Sequence, residues 1–513
     1  MSVAIAYHEA TKYRPATIGE HPGMDWSRQP LPWKRYSTDV PVELAPFLPI
    51  DPNPFTGGDA GAEAAVANDA SITALVARWL YFTYGITAVV GGQPRPMHLR
   101  AAPSAGGLYP TELYLVAHQA GDLADGLYGF DPVRHIAVPL WPGPEAHAAL
   151  VEAAYGSAAV AGADLTLIAT GVFERSRWRY RERGYRRVLL DTGHLLGNAV
   201  LAAHALGRRA HLTTAFCDEA VERLLRIDPA TPVGDHPSDE GVLALVALPR
   251  AGAPERPSWT ALPAPTGSAD AAPPLTNALH LAGRLPVQRP RPAPRGDDLA
   301  DGPERQHGWV GGQSLRPADP APAALAVGPL ASILHRRSTR QFAPLPITRG
   351  QLAEILLCGD DPAACACGPA GGIDRSQLMT FVAVNAVDGL ASGVHYLVPG
   401  TLELREVRLM TEERSREVCR FLCLGQDLGG DAAAVVIHAA DLRAAVRLMG
   451  DRVYRSLHLD AGIIGQRLNL AALALGLGAS GIGGFFDEQI SDVLGLPRDM
   501  AVVYVTTIGA PAR

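Results

Sequence analysis

Two stretches of the chain carry the same long apolar pattern. RGYRRVLLDTGHLLGNAVLAAHALGRRAHLTTAFCDEAVERLLRID begins at Arg183, and RVYRSLHLDAGIIGQRLNLAALALGLGASGIGGFFDEQISDVLGLP begins at Arg452. In each, apolar residues cover most of a helix circumference, which predicts buried helices over about 188–206 and 457–475. A strand, a short helix starting near Asp218 or Asp487, and a final strand such as AVVYVTTIG complete each unit. Upstream, DGLYGFDPVRHIAVPL and SGVHYLVPGTLELREV each read as two short strands around a turn, preceded by a small-residue turn and an opening helix.

The long stretches align without a gap: Asp191 with Asp460, Gly193 with Gly462, Gly207 with Gly476, Phe216 with Phe485, and Asp218 with Asp487. Such agreement points to a duplicated domain, and duplicated copies commonly pack about a pseudo-twofold axis. The mixture of helices and strands predicts an α+β sandwich in each copy rather than a doubly wound sheet. Between Pro249 and Pro329 the composition shifts to Pro, Ala, Gly and charge with no helical or strand period, which predicts a partly extended, mobile linker. The expected organisation is a first domain with an N-terminal extension over 1–249, a linker over 250–329, and a second domain over 330–513, the two domains packed as a pseudo-dimer.

Composition narrows the function classes. A net charge of -7 over 513 residues argues against a dedicated nucleic-acid binder, whose surface would be basic. The opening MSVAIAYHEATKY lacks a basic region followed by an apolar core, and the most apolar run, LNLAALALGLGASGIGGFF, is broken by Asn469 and several glycines. A cytoplasmic protein with neither secretion signal nor membrane span is therefore expected. The cysteines Cys217, Cys358, Cys365, Cys367, Cys419 and Cys423 contain no paired CxxC sets, so buried free thiols are favoured over a metal site.

Three segments invite chemistry. RAAPSAGGLYPTELYLV, from Arg100, packs more small residues into a turn than a turn needs, as if something approached its backbone closely. HRRSTRQF gathers Arg336, Arg337 and Arg340 around Ser338, a set suited to a phosphate monoester, although basic residues also favour a helix C-terminus for its dipole. LGLGASGIGGFFDE contains G-x-G-x-x-G, but it follows a long helix rather than a strand. It fits a helix stop and then a backbone run at Gly481, Gly483 and Gly484 that an anion or ring can touch.

RRSTRQF, GIGGFFD and the terminal VVYVTTIG together resemble the nitroreductase family of FMN enzymes. YHEATKY, APSAGGLYPTELY and FERSRWRYRERGYRRVLLDTGH in the first half are similar to the SagB-type peptide azoline dehydrogenases of that superfamily. The resemblance implies FMN bound at the interface of the two copies. Its phosphate would be held by Arg336, Arg337, Ser338, Arg340, Gly481, Gly483 and Gly484 of the second half, and its ring would be met by Arg100, Pro103, Ser104, Ala105 and Gly106 of the first. Because each half lacks what the other keeps, one composite site is expected and its mirror image should be degenerate. The family usually has Lys-Tyr where this chain has Arg179 and Tyr180. Arginine stays protonated, which makes Tyr180 the first choice for a base and Arg179 a group that orients substrate or lowers the Tyr180 pKa.

The implied reaction oxidises thiazolines or oxazolines in a peptide to thiazoles or oxazoles, with a cyclodehydratase or carrier protein as partner. An NAD(P)H-dependent nitro, quinone or enone reductase and a flavin-free peptide-binding scaffold are the alternatives. On residues alone, Arg179 and Tyr180 also fit a charged surface helix, and His194 fits a satisfied core histidine.

Overall fold

The computed structural model describes residues 2–19, 24–36, 40–48, 71–91, 96–227, 232–233, 236–237, 239–250, 274–286, 308–309, 312–315, 328–360, 377–498 and 500–512. Two antiparallel sheets dominate them. The first is seven-stranded, in the spatial order Val42–Glu43, Ile136–Pro142, Gly126–Asp131, Thr111–Ala117, Ala163–Val172, Glu240–Pro249, His211–Thr213. The second repeats that order as Gln313–Ser314, Glu403–Leu409, Gly393–Val398, Met379–Val384, Ala434–Ala440 and Ala501–Pro511, with Phe342–Ala343 and Gly478–Ile482 both pairing the last of these strands. Equal order in both sheets establishes two tandem α+β domains.

The long helices, Gly184–Ala205 and Val453–Ala474, are 22 residues each and pack directly on one another. Glycine sets how closely they approach. A Cβ on Gly193 would lie 2.3 Å from the Leu459 carbonyl oxygen, and one on Gly462 would lie 2.4 Å from that of Leu190. The pair of helices therefore forms the centre of a pseudo-dimer. Both begin four residues earlier than the apolar pattern predicts, because their first turns carry arginines that the apolar period does not count.

Four arginines at these helix starts form ion pairs across the interface, with twofold reciprocity. Arg183 and Arg186 each donate to Asp487 at 2.7 Å. Their repeat counterparts Arg452 and Arg455 donate to Asp218 at 2.6 and 2.7 Å. Burial alone would raise both carboxyl pKa values, but the paired guanidinium groups hold Asp218 and Asp487 below the ordinary range. The N-terminal segment adds to the clasp: Lys12 donates to the Arg498 carbonyl at 2.9 Å, and the Tyr13 amide donates to Asp487 at 3.0 Å.

Two features depart from the expectations. The stretch 250–329 contains a docked helix, Leu275–Ala282, whose Thr276 amide donates to Glu182 at 2.7 Å and whose His280 lies beside Tyr185 and Arg455. Two turns are too short to show a period, and tertiary contacts hold the helix. A hairpin of Ile86–Val90 and Met97–Arg100 also stands between the helix Ile72–Tyr84 and the small-residue loop. The Gly476 helix stop appears as expected, with φ 73°, and a strand rather than a helix follows it. Cys217, Cys358, Cys419 and Cys423 are buried free thiols. Cys365, Cys367 and most of 250–329 lie outside the described residues. Among the described residues, no helix is long and apolar enough to cross a membrane.

Candidate active site

A cavity of about 960 Å³ opens where the two domains meet. Its size is at the upper end for a small-molecule site. The first domain lines it with Pro103–Gly107, Arg179, Tyr180, Arg187, Asp191 and His194. The second contributes Arg336, Arg337, Ser338, Arg340, Ser480–Gly484 and Tyr504. Apart from Arg100, every site residue expected from the sequence thus comes to one place.

The small-residue loop is held from below by Asp191. Ser104 Oγ donates to Asp191 Oδ2 at 2.6 Å, the Ala105 amide donates to the same carboxylate, and Ser104 Oγ accepts from the Tyr109 amide at 2.8 Å. Burial pushes the Asp191 carboxyl up to about 7, against the pull of these hydrogen bonds and of Arg187. Gly106 has φ 66°, and a Cβ there would lie 2.9 Å from Tyr180 Oη and 3.0 Å from an Arg179 guanidinium nitrogen. Glycine is needed at this position both for the backbone angle and to let those two side chains reach the loop.

The arginines divide by task. Buried Arg336 donates to the carbonyls of Ala101 and Arg100 at 2.9 and 3.1 Å, bracing the first domain's loop, and burial lowers its pKa to about 10. Arg337 donates to the Thr87 carbonyl at 3.2 Å and to carbonyls of its own helix end. The side chains of Arg340 and Ser338 make no hydrogen bond with a described residue, which leaves them available to an anion. Arg100 does not reach the cavity. Its guanidinium lies 4.3 Å from the Tyr84 ring centroid and 4.8 Å from that of Tyr109, and it donates to the Pro32 carbonyl, so the core satisfies it.

Sequence reading missed three lining residues. Arg187 is buried, its Nε has no hydrogen-bond partner, and it lies over the Tyr180 ring with its guanidinium carbon 3.9 Å from the centroid. A Cβ on Gly483 would stand 1.9 Å from an Arg187 nitrogen, so the glycine admits that guanidinium between the domains. Tyr504 fills the space beside Gly481, where a Cβ would lie 1.8 Å from its hydroxyl. That hydroxyl is 2.8 Å from His194 Nε2, and His194 Nδ1 is 2.8 Å from Gln466 Oε1. Burial lowers the His194 pKa to about 4, which keeps the ring neutral. Asp191 appeared in the sequence only as a marker of duplication. The signal that could have found Arg187 was RGYRR: two of its arginines serve the interface and the third turns away from them.

The set fits an anionic, planar cofactor. A buried guanidinium at Arg187 whose Nε has no hydrogen-bond partner, two donors at Arg340 and Ser338 with no hydrogen bond to a described residue, and a glycine backbone at the end of strand Gly478–Ile482 make a cradle that water alone would serve poorly. Several of these side chains have no equivalent at the mirror position. By repeat alignment, Arg179, Tyr180, Arg187 and His194 correspond to Leu448, Met449, Ser456 and Ile463, and by strand register Tyr504 corresponds to Ala244.

The Nitroreductase family model matches residues 70–236 and again 333–510. A crystal structure of a "putative nitroreductase" from Anabaena variabilis aligns over 100% of both chains with a TM-score of 0.84 and 37% identity. The trifolitoxin-processing protein TfxB of Rhizobium leguminosarum is 34% identical over 137 residues, 26% of this chain and 37% of that protein. The microcin B17-processing protein McbC of Escherichia coli is 28% identical over 147 residues, 26% of this chain and 50% of that protein. The similarity therefore spans half or less of each processing protein.

Proposed function

The chain belongs to the nitroreductase family, and from that premise we propose that it is an FMN-dependent dehydrogenase that oxidises thiazoline or oxazoline rings of a peptide to thiazoles or oxazoles. One observation carries the reading: a single composite cavity joins the first domain's loop and Arg179–Tyr180 pair to the second domain's Arg340, Ser338 and glycine run. The likeness to two processing proteins supports a modified natural product as substrate.

Arg340, Ser338 and the backbone at Gly481–Gly484 would hold the FMN phosphate. Arg187 and the Pro103–Gly106 loop would meet the ring system. Bound there, FMN supplies a two-electron acceptor for the hydride that leaves one ring carbon. The chain must then take a proton from the neighbouring carbon. Tyr180 would receive it as the phenolate, after its own phenolic proton has passed to solvent. Burial raises the Tyr180 pKa, so the phenol is protonated at rest; Arg187 and then Arg179 pull the other way and reduce the cost of forming the phenolate. The expected lowering by Arg179 is thus present but outweighed by burial. His194, neutral and bonded to Gln466, holds the Tyr504 hydroxyl that lines the cavity.

The test is anaerobic titration of the FMN-loaded chain with a peptide containing one thiazoline. Bleaching of the flavin with loss of two daltons per ring supports the reading. Bleaching by NAD(P)H alone, with azoline peptides inert, assigns the chain to the reductases. A chain that takes up no FMN overturns both.

A further inference from the structure

A second cavity, of about 1180 Å³, adjoins the first and shares Tyr13, Ile18, Arg179 and Tyr180 with it as a common wall. One side is the helix Phe173–Tyr180 with the turn Arg181–Arg183, and the other is formed by segments 10–18 and 24–30 of the N-terminal extension. The extension is held against that helix by aromatic contact. Trp26 meets Trp178 edge-on at 5.5 Å, and Trp178 Nε1 donates to the Asp25 carbonyl at 3.1 Å.

The charges of this cavity are unevenly committed. Each of its acids has a partner: Asp25 accepts from Ser27, Glu174 from Arg177, and Glu182 from Thr276. Lys12 and Arg14 pair with Glu9 and Glu488, and Arg183 with Asp487. Arg28, Arg179 and Arg181 remain. All three are exposed in the cavity, and none makes a hydrogen bond or ion pair with a described residue. Arg181 also has φ 52°, a backbone angle that residues with a side chain rarely adopt. Guanidinium groups contributed by the N-terminal extension at Arg28 and by the helix and turn at Arg179 and Arg181 suit several carboxylates spread along an extended chain better than one compact anion.

We propose that this second cavity is a cleft for an acidic peptide segment, in which Arg28 and Arg181 bind carboxylates flanking the reacting ring while the ring passes Arg179 and Tyr180 into the first cavity. The inference rests on the dehydrogenase reading for the identity of the ring, and on the arginines alone for the charge of the chain that carries it. Attraction of this kind is strong at low salt and screened as salt rises.

Binding can be read without turnover. Fluorescein-labelled octapeptides rich in Glu, in Gln or in Lys are titrated with the FMN-loaded full chain and followed by anisotropy. The Glu peptide should bind about tenfold or more tighter than the Gln peptide, and this preference should fade between about 50 and 300 mM salt. The double variant Arg28→Gln/Arg181→Gln should lose the preference while keeping its flavin absorbance and melting temperature. Equal binding of Glu and Gln peptides, an unaffected double variant, or tighter binding of pyrophosphate than of any peptide would overturn the proposal. If Glu peptides bind as expected but no azoline peptide is oxidised, the cleft stands and the dehydrogenase reading fails. If azoline peptides are oxidised with kcat/KM indifferent to flanking charge, the reverse holds.

Discussion

The guanidinium carbon of Arg187 lies 3.9 Å from the centroid of the Tyr180 ring. The contact joins the long helix of the first domain to the charged segment before it, and it puts a buried positive charge beside the phenol. Replacing Arg187 with Met removes that charge and keeps much of the packing. FMN affinity should fall by about 10- to 100-fold, the loss expected for one charge-assisted hydrogen bond. Flavin fluorescence quenching measures it, and an unchanged Kd would show that Arg187 does not face the cofactor.

Tyr180→Phe should leave FMN uptake intact and reduce azoline turnover by about 10²- to 10⁴-fold, the range for loss of a general acid or base. Turnover within about twofold of the parent chain would move the base to another residue. Since Arg187 and Arg179 both favour the phenolate, neutralising either should move the rising limb of the pH–rate profile to higher pH.

Asp191 offers a stability test. Burial raises its carboxyl to about 7, so the folded chain binds this proton more tightly than the unfolded chain does. The resulting stabilisation is fully present below the ordinary carboxylate range and is lost as pH rises toward 7. Relative to Asp191→Asn, the parent chain should therefore lose roughly 4 kcal/mol of unfolding free energy between about pH 4 and pH 8. Urea denaturation of both proteins across that range reads it, and a flat difference would mean an unshifted carboxyl.

A saturated, desalted sample should contain one FMN per chain. The mirror position has Leu448, Met449 and Ser456 where the candidate site has Arg179, Tyr180 and Arg187. A measured ratio near two would show that those side chains are dispensable for binding.

Gly193→Ala should cost about 1–3 kcal/mol, the usual penalty of overpacking. Its new methyl would meet the Leu459 carbonyl at 2.3 Å. Thermal unfolding measures this, and an unaltered melting temperature would show that the helix crossing has slack.

Much of this arrangement was legible in the sequence because it was written twice. Gapless repetition from Arg183 and Arg452 identified the long helices, the short helices at Asp218 and Asp487, and the pairing of the copies. The loop at Ser104 and the run at Gly481–Gly484 stood out because side chains would obstruct those backbones. What stayed hidden depends on direction. Arg186 and Arg187 are adjacent in sequence, yet one serves Asp487 and the other the cavity. Arg336 and Arg340 sit in one cluster, yet one braces carbonyls and the other makes no hydrogen bond with a described residue. Composition cannot separate such neighbours, and it also missed Leu275–Ala282, whose helicity depends on partners distant in the chain.

The reciprocal bridges from Arg186 to Asp487 and from Arg455 to Asp218 have a kinetic consequence. In a pair of separate subunits such contacts would form at a rate set by encounter, and dilution would undo them. Here both partners are tethered, so the interface persists at any protein concentration. A substitution also alters one face of it rather than two. One half of the chain can then drift toward chemistry and the other toward support, a division of labour closed to identical subunits.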